Sequence, residues 1–318
     1  MAGIDIITDR IIFLGILVLT GYISTLLKYT KPSIGDGISL CLTNLTIPAL
    51  VLSSFSTIDM NANRLKSGLF VLIASYALIF ILIGLGKIFS KALKLKGVTA
   101  SAHTYLTACG NVTFMGYPII SAVLGNEGLY YAMLYMLANN TVIWILSIYS
   151  ILKCHGKKSG NLALKLLNPS SISLILGFAI MVFDINIPSF LLKPMEALGE
   201  CTTPMSMIFI GITLATIKFS KFLNIWKGLI IVLVKMIVVP IILILALPLF
   251  NYYDVMSHIA ISSVILQCAM PSTSIYAVLS KTYGGDYEYA AQNILITTVC
   301  SFFTIPFIYY LLTAWGNF

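Results

Sequence analysis

Two prolines lie deep in apolar sequence, each with an amide side chain shortly before it. Pro118 follows Gly116 and Tyr117 and is preceded by Asn111; Pro271 follows Ala269 and Met270 and is preceded by Gln267. Proline lacks an amide hydrogen and clashes with the preceding helical turn, so each is expected to break its helix and to suit the start of a second half. Gly116 is the expected end of the first half. Half-helices starting near Pro118 and Pro271 would aim free N–H groups and a positive dipole end into the protein. Such ends attract an anion. Unwound backbone at membrane depth is tolerated only where it is buried or lines a cavity, so the broken pair also predicts a cavity.

Other polar residues in apolar surroundings extend this set. The Asn111 amide offers donors and an acceptor to a carboxylate, and an interhelical hydrogen bond is the structural alternative. Asn139 and Asn140 are neighbours about 100° apart on a helix, able to face one cavity. Gln267, Ser272, Thr273 and Asn293 are the later counterparts, and Ser53 and Ser54 are weaker candidates. Lys235 is the one basic residue well inside an apolar segment, about 15 Å of helical rise from its start. A charge at that depth is costly and is normally paired or functional. Two roles are open to it: balancing an anion or standing in for a coupling proton, and bracing the carbonyls of a broken helix. Glu200 is the nearest acidic candidate but lies closer to a span end. His103 and His258 stand at the expected starts of two spans, open to a proton relay or to a plain interfacial role.

Catalysis is not indicated: there is no HExxH, no GxSxG and no pair of mid-span aspartates. The six cysteines show no CxxC spacing and lie in or at the end of apolar segments, which argues for packing rather than disulfides or a metal. No cofactor or metal is expected.

The elements that must position these residues follow from composition. Hydrophobic residues are 59% and charged residues 9% of 318 positions, against about 25% charged in soluble domains. Ten membrane spans are expected, near 10–28, 37–58, 67–89, 101–124, 128–152, 170–187, 197–217, 225–250, 255–280 and 287–313. The net charge of +8 does not indicate nucleic acid, because the lysines sit in links between spans. Alternate links hold fourteen basic residues, from Lys28 and Lys31 through Lys87, Lys153 and Lys218 to Lys281, and the opposite links hold Arg10, Arg64, Lys66 and Lys193. By the positive-inside rule the richer side is cytoplasmic and both termini lie outside. Asp5 and Asp9 replace a basic leader region, so no cleaved signal is expected.

The prolines also reveal a repeat. Pro32 and Pro48 are sixteen apart, as are Pro188 and Pro204; Pro118 and Pro271, like Asn140 and Asn293, are separated by 153. The expectation is a first five-helix repeat at 1–153, a short cytoplasmic link at 154–169 and a second repeat at 170–318. Five spans per copy force the second copy to be inverted, a recurrent transporter plan with its site at the repeat interface.

The stretch Gly110-Asn111-Val112-Thr113-Phe114-Met115-Gly116-Tyr117-Pro118, with Asn126-Glu127-Gly128 and Asn139-Asn140 after it, resembles the auxin efflux carrier family, the PIN-like permeases of bacteria and plants. Ala269-Met270-Pro271-Ser272 and Tyr283-Gly284-Gly285-Asp286 resemble its later signature. The resemblance implies an all-α fold similar to bile-acid symporters and sodium/proton antiporters, with ten transmembrane helices and crossing, broken helices four and nine. Helices 1, 2, 6 and 7 would form a scaffold that dimerises, and helices 3–5 and 8–10 a transport unit. Asn111 would lie beside the substrate. The short middle link favours the bacterial type, whose members carry malate or malonate.

The expected function is a secondary transporter of a small organic anion, a carboxylate such as a dicarboxylate or an auxin-like acid. It would work by alternating access in the plasma membrane, as a homodimer, with a proton as the possible coupling ion. The alternatives are a sodium/proton antiporter of related fold and a membrane sensor built on a transporter fold. The antiporter requires an ionisable carboxylate at the crossover, where Asn111 and Gln267 cannot titrate.

Overall fold

The computed structural model describes residues 2–58, 62–157, 167–216, 225–250 and 257–315. Among these the regular structure is helical, apart from one antiparallel bridge between Gly110 and Ser272. In chain order the helices are α1 (Ala2–Leu26), α2 (Pro32–Cys41), α3 (Ile47–Ser56), α4 (Ala62–Ala92), α5 (Gly97–Ala108), α6 (Tyr117–Thr141), α7 (Ile148–Cys154), α8 (Pro169–Val182), α9 (Ser189–Glu200), α10 (Thr202–Thr216), α11 (Ile225–Ile231), α12 (Val239–Phe250), α13 (His258–Ala269), α14 (Ile275–Tyr283) and α15 (Tyr287–Trp315). Wider π-helical turns are inserted at Leu42–Thr46, Val112–Gly116, Val142–Ser147 and Val232–Val238.

Polarity is inverted relative to a water-soluble protein. Ile12, Ile16, Leu19 and Ile23 of α1 face outward, whereas Asn111, Asn139, Gln267, Ser272 and Lys235 are buried. Six stretches of the described residues are each long and apolar enough to cross a bilayer: Ser33–Ser56, Asn63–Ala92, Val112–Cys154, Ser189–Thr216, Ile225–Ala246 and Tyr287–Ala314. Ile12–Leu26, Pro169–Val182 and His258–Ala269 are shorter apolar helices. The protein is therefore an all-helical, multi-pass membrane protein.

The expected spans 101–124 and 255–280 are each divided: α5 stops at Ala108 before a helix resumes at Val112, and α13 stops at Ala269 before α14. Between the expected spans 101–124 and 128–152 lies a kink at Gly125, at φ 65° and ψ −162°. That conformation is open in practice to glycine alone. Most of the expected link 154–169, with Lys158 and Lys165, lies outside the described residues, as do Lys218, Lys221 and the start of the span at 255.

Helix starts follow local chemistry. Pro169 occupies the first turn of α8, and the Asn168 side-chain oxygen accepts from the Ser171 amide at 3.0 Å. Ser257 caps α13 through the Ala260 amide at 3.1 Å. Asp286 caps α15 through the Tyr289 amide at 3.0 Å and accepts from the Thr99 hydroxyl at 2.6 Å. Gly284, at φ 81°, closes α14.

The chain forms two compact units. The first comprises Met1–Lys66, Thr113–Met133 and Leu167–Lys218. Within it α1 packs along α10 at close range. A β-carbon added at Gly211 would run into the Val18 carbonyl and the Tyr22 amide, and one at Gly21 into the Ile208 backbone. Without a water-driven hydrophobic effect between helices, such small residues supply the close backbone contact. Helix α3 packs on α8 and α9, with Gly177 against the Phe55 ring and Gly199 against the Leu50 backbone. Phe55 meets Tyr130 edge-on at 5.6 Å, and Phe114 meets Phe209 at 5.3 Å.

The second unit comprises Ser67–Val112, Leu134–Leu166 and Phe219–Phe318. Helix α15 is its hub, packing against α5, α11, α12, α13, α14 and the segment Val232–Val238. Val232, Met236 and Ile296 form an apolar cluster there. All six cysteines are free, with Cys109 and Cys268 buried.

The contact between α1 and α10 gives a direct test. Gly211→Leu is expected to cost about 1–3 kcal/mol by overpacking and to lower the melting temperature in detergent. A change at Gly15, which has open space around its β-carbon position, should leave that temperature nearly unchanged.

Candidate functional site

In the second unit the two helix interruptions meet. The Asn111 amide donates to the Pro271 carbonyl at 2.7 Å, and the Thr273 amide donates to the Cys109 carbonyl at 3.2 Å. These bonds make the antiparallel bridge between Gly110 and Ser272. Each interruption thus satisfies backbone groups that the other has lost, as low-dielectric surroundings demand.

Side chains complete the accounting. Had α5 continued, the Leu106 carbonyl would have taken the Gly110 amide. Instead the Gly110 amide donates to the Asn139 side-chain oxygen at 3.0 Å, and the Leu106 carbonyl accepts from the Ser272 hydroxyl at 2.8 Å. The Ser272 amide donates to the Thr297 hydroxyl oxygen at 3.2 Å. The Gln267 side-chain amide donates to the Val112 carbonyl at 3.3 Å. Asn139 and Ser272 are therefore committed to holding the backbone of the paired interruptions.

Asn111 is different. It is 7% exposed, its backbone amide is bonded, and its side chain has no hydrogen bond among the described residues. Asn140 is buried, and its amide donates only to the Met136 sulfur at 2.8 Å, a weak acceptor. Lys235 lies midway along Val232–Val238 and is 0% exposed. Its ammonium has no hydrogen-bond partner among the described residues. A β-carbon placed on Gly110 would lie 3.4 Å from Lys235 Nζ and 3.4 Å from the Gln267 carbonyl oxygen. The lysine therefore reaches the interruption itself.

Several expectations are corrected. The first interruption is at Cys109–Asn111, ahead of Gly116 and Pro118. Gly116 ends the π-turn Val112–Gly116, and Pro118 lies in the helix that follows, beyond this wider turn. Pro271 does lie in an interruption, but α14 starts only at Ile275. Met270 is extended, as the residue before proline prefers. Equal spacing also paired Asn140 with Asn293. Asn293 instead bonds the Tyr289 carbonyl at 2.7 Å and lies over Gly228. Thr297, one turn onward, has the role toward Ser272 that Asn139 has toward Gly110. Nothing in the asparagine spacing points to it; a hydroxyl one turn past an amide is the available clue.

The two histidines are not equivalent. His103 is buried midway along α5, with Nδ1 at 2.7 Å from the Tyr289 hydroxyl. His258 is the exposed first residue of α13.

The first unit holds a separate cavity of about 610 Å³. Ser53, Ser54, Pro118, Asn126, Glu196 and Glu200 are among its lining residues. Ser53 donates to the Leu50 carbonyl at 3.2 Å.

The sequence model of the membrane transport protein family matches residues 6–162 and 161–309. The chain belongs to that family. It is the auxin efflux carrier family that the Gly110–Pro118 stretch resembles. This transporter is 27% identical over 308 residues to an uncharacterized transporter of Methanocaldococcus jannaschii, covering 93% of this chain and 96% of the relative. It is 24% identical over 220 residues, 67% of each chain, to a Rhizobium meliloti protein provisionally named as a malonate transporter. Family and relatives are transporters rather than enzymes.

The hydrogen bonds separate structural from available amides. Asn139→Ala and Thr297→Val each leave a buried backbone N–H unpaired, at about 1–3 kcal/mol. Both are expected to lower the melting temperature of the purified transporter. Asn111→Ala removes no hydrogen bond and should leave it within about a degree or two, given a cost well under 1 kcal/mol.

Proposed function

We propose that this transporter moves a small organic anion, a carboxylate of the dicarboxylate or auxin-like kind, by alternating access at the paired interruptions. One observation carries this reading. Among the described residues, a buried lysine ammonium without a hydrogen-bond partner and an asparagine side chain without a hydrogen bond stand at the same break in two helices. A carboxylate entering there would accept from Asn111 and gain from the nearby positive charge. The name of the Rhizobium meliloti relative supports a dicarboxylate as the first substrate to try.

Asn140 is the second amide assigned to the substrate. Gln267, Ser272, Thr273 and Asn139 hold the backbone that presents the site, and Asn293 is assigned an outer role. The partition of the chain, with α1–α3 and α8–α10 in one unit, most of α4 with α5, α7 and α11–α15 in the other, and α6 divided after Met133, supports a scaffold and a transport unit in its broad lines. On this reading the protein is a homodimer in the plasma membrane, with ten spans in two inverted repeats and both termini outside.

Sodium/proton exchange is the competing reading. Among the described residues no aspartate or glutamate lies at the paired interruptions, and Asn111 and Gln267 cannot carry a proton. A sensor would use the same anion site without flux.

Purified protein in liposomes, loaded or exposed to malonate, malate and an indole carboxylate with imposed pH and sodium gradients, tests the reading. Saturable flux of one carboxylate is expected. Asn111→Ala should cut it at least tenfold, the equivalent of about 1.4 kcal/mol, with folding retained. Sodium-driven proton movement without flux of any anion would overturn the reading. Anion binding without flux would favour the sensor.

A further inference from the structure

We propose that the cavity of the first unit binds an organic ammonium ion, an alkylamine or short alkyl diamine, held by Glu196, Glu200 and Ser54. The cavity of about 610 Å³ lies wholly within that unit. Its size is that of small-molecule sites, about 300–1,000 Å³. The inference does not rest on the anion reading, whose Asn111 and Lys235 belong to the second unit.

Helix packing builds an acidic wall. Glu196 and Glu200 are four residues apart on α9 and so share a face. Gly199 lies between them against α3, where an added β-carbon would stand 2.9 Å from the Leu50 Cα. This close approach brings the glutamate-bearing turn to the face of α3 that carries Leu50, Ser53, Ser54 and Thr57, all of which line the cavity. Both carboxylates line it too, and neither has a hydrogen bond or ion pair among the described residues. Arg64 is paired with Glu127, at 3.7 Å. Among the described residues no lysine, arginine or histidine lines the cavity. Like charges at this spacing on a helix repel. Both glutamates also lie within the apolar stretch Ser189–Thr216, where an ionised side chain is normally paired or functional.

A serine points independently to a ligand. Hydroxyls in apolar helices normally bond back to a carbonyl about one turn earlier. Around Ser54 they do: Ser53 donates to the Leu50 carbonyl at 3.2 Å, Ser56 to the Ser53 carbonyl at 2.7 Å and Thr57 to the Ser54 carbonyl at 2.9 Å. Ser54 is 5% exposed and lines the cavity, yet its hydroxyl has no hydrogen bond among the described residues. The hydroxyls of Ser121 and Thr203, which line the same space, are likewise unbonded among the described residues.

The chemistry of these groups selects the ligand. A protonated amine carries three N–H donors, which carboxylates accept with charge-assisted strength and hydroxyls can share. Leu14, Leu50 and Ala122 supply apolar wall for a hydrocarbon body. A divalent metal ion fits less well, because it takes six or more oxygens at about 2.0–2.6 Å and makes no use of that apolar wall. An aminophospholipid carries a phosphate beside its ammonium, and no basic side chain lines the cavity to receive it. Two carboxylates balance two ammonium groups, so a short diamine binds more tightly than a monoamine of the same length.

Thermal unfolding of the purified protein in detergent, at constant ionic strength, tests the site. Diaminobutane, butylamine, butanediol and magnesium chloride are each titrated in place of sodium chloride. The native protein should be stabilised saturably by both amines, as ligand binding to the folded state requires, with the diamine half-saturating at the lower concentration. Butanediol, of the same length without charge, and magnesium should have no saturable effect. Glu196→Gln and Glu200→Gln keep side-chain size and remove no hydrogen bond seen among the described residues, so both should fold. Each should raise the half-saturating diamine concentration about tenfold or more, and Ser54→Ala about threefold or more. The double glutamine variant should lose the response. Asp36→Asn, at an exposed carboxylate of α2 that does not line the cavity, should respond like the native protein. Absence of a saturable amine response in the native protein would overturn the proposal. So would a response that survives in the double variant, an equal response to butanediol, or a response to magnesium alone. If the double variant does not fold, unchanged half-saturation in both single variants overturns it. The readout is binding, so loss of anion flux in liposomes leaves these outcomes unaffected and the two readings fail separately.

Discussion

Every backbone N–H and C=O released inside an apolar bundle must find a partner within the protein. The second unit is organised around that constraint. Its helices stop at Ala108 and Ala269, and the freed groups bond across the two gaps, from Asn111 to Pro271 and from Thr273 to Cys109. Asn139, Ser272 and Thr297 close what the backbone alone leaves open. Water would have filled these positions in a soluble protein. Here three side chains fix where the interruptions lie, and their loss would expose buried donors and acceptors directly.

With the backbone satisfied in this way, the remaining polar groups stand out. Among the described residues the Asn111 side chain and the Lys235 ammonium have no hydrogen-bond partner. The proposed anion site thus rests on two kinds of group: those that hold the break together and those left free by it. Confusing the two would assign Asn139 and Ser272 to a substrate when they are holding main chain.

The first unit solves a different problem. Its helices expose apolar side chains outward and meet one another through glycines at positions 21, 177, 199 and 211. Close backbone contact through small residues gives dispersion and shape fit where no water is available to drive association. The same unit carries Pro118 and the two glutamates at a cavity, so the signature stretch from Gly110 to Pro118 contributes to both units.

The long apolar runs, the helical class and the family were legible in the chain, because lipid permits only internally bonded backbone and so forces composition to declare the spans. The two signature stretches were legible too, and Asn111, Pro271 and Lys235 stood out as polar or helix-breaking residues in apolar sequence. The position of the first break was not. Proline marks a missing donor, yet the π-turn Val112–Gly116 carries the chain on to Pro118 within a helix, and the gap opens where Pro271 and Ser272 supply partners. Equal spacing named Asn293 in place of Thr297 for the same reason: a repeat preserves distance along the chain, whereas hydrogen bonds are chosen by distance in space. Composition and pattern fixed which residues enter the membrane; only the tertiary pairing of two interrupted helices decided which of them remain free to act.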